Sequence, residues 1–175
     1  TTTGNTNAHG GNVNIAAVGA LNTGTITTKG GNATAAGKDG GSVTLNSSGS
    51  TLTVTGAINS RGSDATSGNN NGGKGGAVNS SGATGVVLNG SIDARGGALS
   101  GSGATGAGGT VALSSLLGSV IGAGVINTTN TLIVNAMTGI NLNGSNTVTG
   151  LVTLKNNGTT SGDVFYQSAN SGLTQ

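Results

Sequence analysis

The 175-residue chain has no cysteine, no proline and no tryptophan, and one residue each of methionine, tyrosine and phenylalanine. Without cysteine there is neither a disulfide framework nor a thiolate nucleophile, and this absence suits a secreted protein and a cytosolic one equally. Glutamate is missing too, leaving four aspartates and one histidine. Nucleophile–base pairs and paired carboxylates need partners that this inventory scarcely holds, so the expectation is no enzyme. Charged residues make up only 6% of the chain. Its six cations, Lys29, Lys38, Arg61, Lys74, Arg95 and Lys155, are too scattered for a basic patch, and two aromatic rings make no stacking platform. Nucleic acid is not the expected partner. No run of 18 apolar residues exists, so no membrane insertion is expected. The chain opens on Thr1 without a basic–apolar leader, and reads as a processed or excised part of a longer protein.

What the chain has is glycine, at 37 positions, and repetition. Gly24-Thr25-Ile26-Thr27-Thr28-Lys29-Gly30 returns 32 residues later as Gly56-Ala57-Ile58-Asn59-Ser60-Arg61-Gly62. It returns again after 34 more as Gly90-Ser91-Ile92-Asp93-Ala94-Arg95-Gly96. A second element keeps step: Gly10-Gly11-Asn12-Val13-Asn14-Ile15, Gly40-Gly41-Ser42-Val43-Thr44-Leu45, Gly75-Gly76-Ala77-Val78 and Gly108-Gly109-Thr110-Val111-Ala112-Leu113. Self-similarity at this period marks a solenoid. Disorder is the competing reading of so polar a composition, but disordered chains are charged and poor in Val and Ile.

No helical periodicity persists, whereas apolar–polar alternation is frequent. It predicts an all-β fold: a right-handed parallel β-helix with three strands per coil and glycine-rich loops leaving one corner. The inward ladder is expected to hold Val13, Ile15, Ile26, Val43, Leu45, Leu52, Val54, Ile58, Leu88, Ile92, Val111 and Leu113, with Ile26, Ile58 and Ile92 in one column. Residues 1–109 carry the long loops Gly62–Gly73 and Gly96–Ala107, expected to lie side by side and packed. Residues 110–175 continue the same helix with short corners. Five to seven coils at about 4.8 Å make a rod roughly 25–35 Å long.

Glycine-pair–x–Val–x–Leu, then Leu–x–Val–x–Gly, then Ile–x–x–[Lys/Arg]–Gly, closed by Asn146-Thr147-Val148-Thr149-Gly150-Leu151-Val152-Thr153-Leu154, resembles the repeat region of filamentous-haemagglutinin-type exoproteins. These are large β-helical adhesins exported by two-partner secretion. The resemblance covers about residues 10–170 and implies an extracellular or surface-attached rod. The secretion domain of that family carries Asn-Pro motifs, so this proline-free chain resembles the shaft and not the export module.

Individual candidates are few. Asp93 and Arg95 stand two apart on one strand, where β-helical polysaccharide-degrading enzymes place acids and bases. Their counterparts Asn59/Arg61 and Thr27/Lys29 make a solvated polar column the simpler reading. His9 matches Asp39, Lys74 and Ala107, a position that tolerates any residue type, so no metal is expected there. Lys38-Asp39-Gly40-Gly41 is the only near match to a calcium-binding repeat. Gly72-Gly73-Lys74-Gly75-Gly76 lacks the spacing of a phosphate loop and reads as a flexible corner. Thr25/Thr27 and Thr51/Thr53/Thr55 suggest an ice-binding face, but their counterparts Ala57/Asn59, Ser91/Asp93 and Val87/Asn89 do not sustain it. Phe165 and Tyr166 are adjacent, so one faces inward and one outward. No cofactor is expected. The expected partners are another copy stacked head to tail or further coils of a longer chain, since neither terminus resembles a cap, with a glycan or an environmental surface as a further possibility.

Overall fold

A computed structural model describes residues 1–158 and 162–169. Among them there is no helix, and every strand-to-strand ladder is parallel. The first round of chain is β1 (Val13–Ala17), β2 (Leu21–Thr23) and β3 (Ile26–Thr27). The next is β4 (Val43–Ser47), β5 (Thr51–Val54) and β6 (Ile58–Asn59). Then follow β7 (Val78–Gly82), β8 (Gly85–Leu88) and β9 (Ile92–Asp93), and β10 (Val111–Ser115), β11 (Ser119–Gly122) and β12 (Ile126–Thr128). The chain continues through β13 (Leu132–Ala136), β14 (Ile140–Val148), β15 (Val152–Asn156) and β16 (Val164–Ser168).

As far as the β11–β14 pair, strands three apart in sequence are neighbours in space, which is the solenoid arrangement; the pairs β12–β14, β13–β15 and β14–β16 are two apart. One sheet runs β1-β4-β7-β10-β13-β15. A second flank is β2-β5-β8-β11-β14-β16 and a third is β3-β6-β9-β12-β14. β10 pairs with β7 on one side and β13 on the other, so the ladder crosses residues 109–110 without a break.

β14 corrects the expectation of three strands in every coil. Residues 140–142 and 146–148, which read as two strands, form one strand that pairs first with β11 and then with β12. Its burial alternates without a lapse through Ile140, Leu142, Gly144, Asn146 and Val148, so nothing in the side-chain pattern forces a corner. The inward amide of Asn146 accepts from Ile126 N–H (2.8 Å) and donates to Gln167 C=O (2.9 Å), taking the place of ladder bonds where the registry shifts.

Strand register stacks like on like. Ile26, Ile58, Ile92 and Ile126 are consecutive partners in one column. A second column is Val13, Val43, Val78, Val111, Leu132 and Val152; a third is Leu21, Leu52, Val86, Val120, Ile140 and Val164. Val43, Leu45, Leu52, Val54, Ile58, Leu88, Ile92, Val111 and Leu113 are buried to 1% exposure or less. Each such side chain contributes roughly 1.5–3 kcal/mol. Val13 and Ile15, placed in the same ladder by their sequence, are only part-buried, because among the described residues β1 has a strand neighbour on one side alone. Ile26 is sealed to 8%.

The long loops pack as a second body of backbone beside the solenoid. Each runs out from the third strand and returns to the next round. Outgoing segments hydrogen-bond rung to rung, as in Gly30 N–H to Arg61 C=O and Gly62 N–H to Arg95 C=O, both 3.0 Å. Returning segments bond across to outgoing ones: Gly41 to Thr28, Gly76 to Ser60 and Gly109 to Ala94, each 2.7 Å. Glycine is required by this closeness. A Cβ on Gly73 would stand 2.1 Å from Lys38 O, and one on Gly76 2.0 Å from Gly41 O. Residues 1–11 add one more rung: Thr2 and Gly4 donate to Thr27 and Lys29 C=O along the free edge of β3, and Gly11 donates to Thr2 C=O.

Candidate functional site

Rigid columns place the candidate side chains, and the first question for each is what it already binds. Asp93 lies on β9 between Asn59 and Asn127. Arg95 grips it with both ends of the guanidinium, Nε to Oδ1 at 2.9 Å and Nη2 to Oδ2 at 2.7 Å, and its own N–H bonds Oδ1 at 3.2 Å. Burial pushes the Asp93 carboxyl up, but the Arg95 hydrogen bonds and the charges of Arg95 and Arg61 outweigh it and hold the group below the ordinary value. The same pair raises Arg95. No second carboxylate is in register with Asp93, so the two-acid geometry of glycoside hydrolysis is missing at this column. Asp64 is likewise occupied, bonding Arg61 Nη2 and Ala98 N–H, each at 2.7 Å.

Other polar side chains act as clamps within the glycine layer. His9 Nδ1 accepts from Asp39 N–H (2.9 Å), and Asp39 Oδ1 accepts from Lys74 N–H (2.6 Å). Asn7, Asn12, Asn69 and Asn71 accept in the same way from Thr34, Ser42, Ser102 and Ala104. The position of His9 and Asp39, which seemed indifferent to residue type in the sequence, therefore satisfies main-chain donors that no carbonyl reaches. Among the described residues no three His, Asp, Cys or Glu side chains cluster as metal ligands.

Gly72-Gly73-Lys74-Gly75-Gly76 is not a flexible corner. Its five N–H groups are taken by Ala104 O, Ser63 O, Asp39 Oδ1, Ala107 O and Ser60 O, which leaves none free for a phosphate. Thr28, Ser60 and Thr128, unremarked in the sequence, are buried beside the Ile column. Their hydroxyls bond carbonyls of the glycine pairs at Gly41, Gly76 and Gly109 (2.7, 3.0 and 2.7 Å). The signal was present in the alignment of Thr28 with Ser60.

Threonine forms no outer column. Thr27 is followed by Asn59, Asp93 and Asn127, and Thr53 by Val87 and Ile121. Phe165 points outward and is half-exposed, while Tyr166 packs against the core. Burial raises the Tyr166 phenol. Beside Phe165 a shallow groove of about 380 Å³ is lined by Ser119, Ile121, Thr138, Asn141 and Asp163. No family model, no curated protein and no solved structure matches this chain.

The two ends of the solenoid differ from its flanks. At one end Val13, Ile15, Leu21 and Ile26, together with Thr1, Asn22, Thr23 and Thr25, line an open cavity of about 380 Å³. At the other, Val152, Leu154 and Tyr166 are part-buried and Val164 is about half-exposed. Among the described residues β1 pairs only with β4, β2 only with β5, β15 only with β13 and β16 only with β14. No helix among these residues is long and apolar enough to cross a membrane.

Proposed function

We propose that the chain is a structural or adhesive rod, part of a secreted or surface-attached bacterial protein, wound as a right-handed solenoid and acting outside the cell. The observation that carries this reading is the unbroken set of parallel ladders whose outer columns change residue type from rung to rung. A rod needs rigidity along its length and a hydrophilic exterior, and stacked main-chain bonds with outward Asn, Ser and Thr supply both. Right-handed winding follows from the twist of L-residue strands, which makes parallel crossovers overwhelmingly of that hand. The side chains best suited to chemistry, Asp93, Arg95, Asp64 and His9, are engaged in holding neighbouring backbone or each other. No catalytic role and no cofactor is assigned to them. The resemblance to filamentous-haemagglutinin-type shafts agrees with this reading.

A second reading, a glycan-binding module, is favoured by one feature. The groove at Phe165 sets an aromatic face beside Ser119, Asn141 and Asp163, a combination suited to the apolar face and hydroxyls of a sugar. An ice-binding role has no sustained threonine column behind it. Two measurements separate the three. A passive shaft gives no saturable signal on a glycan array and no thermal hysteresis; saturable glycan binding abolished by Phe165→Ala favours the module, and ice shaping favours the third. Excising residues 60–93, one whole repeat, joins Asn59 to Ala94 in register. For a shaft of interchangeable repeats, X-ray scattering should find a folded rod shorter by about 4.8 Å.

A further inference from the structure

We propose that the groove beside Phe165 holds one neutral pyranose ring, edge-on between Phe165 and Ile121. The proposal rests on the glycan-binding reading and deepens it by naming the class of sugar and the way it is held.

Strand register builds the groove. Outward positions of the second flank stack as Thr53, Val87, Ile121, Asn141 and Phe165. Ile121 and Phe165 are therefore two rungs apart, about 9.6 Å along the rod. Asn141 lies between them as the floor. Both walls are open to solvent, at 40% and 51% exposure. A ring that touches a carbon wall on each face needs about 7–8 Å between the walls, twice an ordinary contact distance. One sugar ring fits and two do not. A pyranose suits such walls because it carries C–H groups on its faces and hydroxyls around its rim. Phe165 covers one face, Ile121 the other, and the rim points down to the floor.

The polar side chains of the groove are uncommitted, which sets them apart from those elsewhere on the rod. Ser119, Thr138, Asn141 and Asp163 line it, and none of their side chains has a hydrogen-bond partner among the described residues. By contrast, the carboxylates of Asp39, Asp64 and Asp93 are all engaged. Asn141 can both donate to and accept from a hydroxyl, and the Asp163 carboxylate can accept from two neighbouring ones. Asp163 is also the only ionisable group on the groove. With a carboxylate present and no cation to offset it, an acidic sugar is repelled and a neutral one is not.

Saturation-transfer NMR on the whole chain, with methyl α-glucoside, methyl α-mannoside and methyl β-galactoside as probes, tests the proposal. At least one should bind saturably with a Kd of about 1–10 mM, the strength expected of a single ring in an open site. Methyl β-glucuronide should bind about tenfold more weakly, and Asp163→Asn should narrow that gap. Phe165→Ala should abolish binding, while Phe165→Leu, which keeps the bulk and loses the aromatic ring, should weaken it about three- to tenfold. Both variants should keep the circular dichroism of the parent, since Phe165 points outward. The proposal is overturned by neutral pyranosides that do not bind, or that bind the Phe165→Ala protein equally well. A preference for the glucuronide overturns it too. The glycan array separates this failure from that of the reading beneath it. Acidic glycans that bind there and are lost in Phe165→Ala leave a glycan-binding module for another class of sugar. An array without any saturable signal removes the module itself and leaves the rod reading untouched.

Discussion

Replacing Gly73 with alanine tests whether the glycine layer is a packed body. The new Cβ would stand 2.1 Å from Lys38 O and 2.3 Å from Lys38 C, whereas ordinary contact begins near 3.4 Å. Both neighbours are main chain, so no side chain can swing away, and the two segments must part by about 1 Å. Two bonds run through this contact, Ser63 N–H to Lys38 O at 2.8 Å and Gly73 N–H to Ser63 O at 2.9 Å. Leaving such groups unmade costs about 1–3 kcal/mol each, and overpacking strain adds about as much again. The expected loss is about 3–6 kcal/mol, a large share of the stability of an ordinary domain. Gly19→Ala is the control: nothing lies within 4 Å of its added Cβ, and restricting the unfolded chain there leaves stability unchanged or raises it by up to about 1 kcal/mol. Urea unfolding followed by circular dichroism gives both numbers. A Gly73→Ala protein within about 0.5 kcal/mol of the parent would refute the packing argument.

Other substitutions address the columns. Ile58→Asp sets an unpaired charge between Ile26 and Ile92 and should cost several kcal/mol, while Thr53→Asp on an outward position should cost far less; equal losses in chemical denaturation would mean that the register is wrong. Asn146→Ala strands Ile126 N–H and Gln167 C=O, an expected loss of about 1–3 kcal/mol by the same measurement, and a neutral result would show that the registry shift along β14 holds itself. Because the folded-state pKa of Asp93 is depressed, its stabilisation is present above the ordinary carboxylate value of about 3.9 and disappears as pH falls through the lower folded value. Melting temperatures between pH 6 and pH 2 should therefore fall less steeply for Asp93→Asn than for the parent, and parallel curves would count against the pair.

The Ile column was legible because Ile26, Ile58 and Ile92 each precede a cation and a glycine at fixed spacing, and a parallel solenoid turns equal spacing into contact. Ile126 was harder to see, since Thr129 and Asn130 replace the cation and glycine that follow the others. The extra rung at residues 1–11 was missed although Thr2-Thr3-Gly4 echoes Thr28-Lys29-Gly30, because without an isoleucine ahead of it the fragment is too short to align. The fused strand β14 was hidden by Gly144 and Ser145, which read as a corner but sit within one uninterrupted alternation. The clamps of Asn12, Asp39, Asp64, Asn69 and Asn71 could not be read at all. Each depends on a main-chain donor 30–35 residues away that has no carbonyl within reach, a property of the assembled layer and not of any local pattern.

Those clamps share a direction. In every long-range case within the layer, the Asn, Asp or His acceptor comes earlier in the chain than the N–H it receives: Asn7 before Thr34, His9 before Asp39, Asn12 before Ser42, Asp39 before Lys74, Asp64 before Ala98. A polypeptide that emerges amino-terminus first thus meets, at several of its turns, side-chain acceptors already in place for particular amides of the next. The finished rung is a mould for the one that follows. Such a chain can fold as a travelling front, each turn positioned by the one before it and completing in return the backbone bonds that turn had left open.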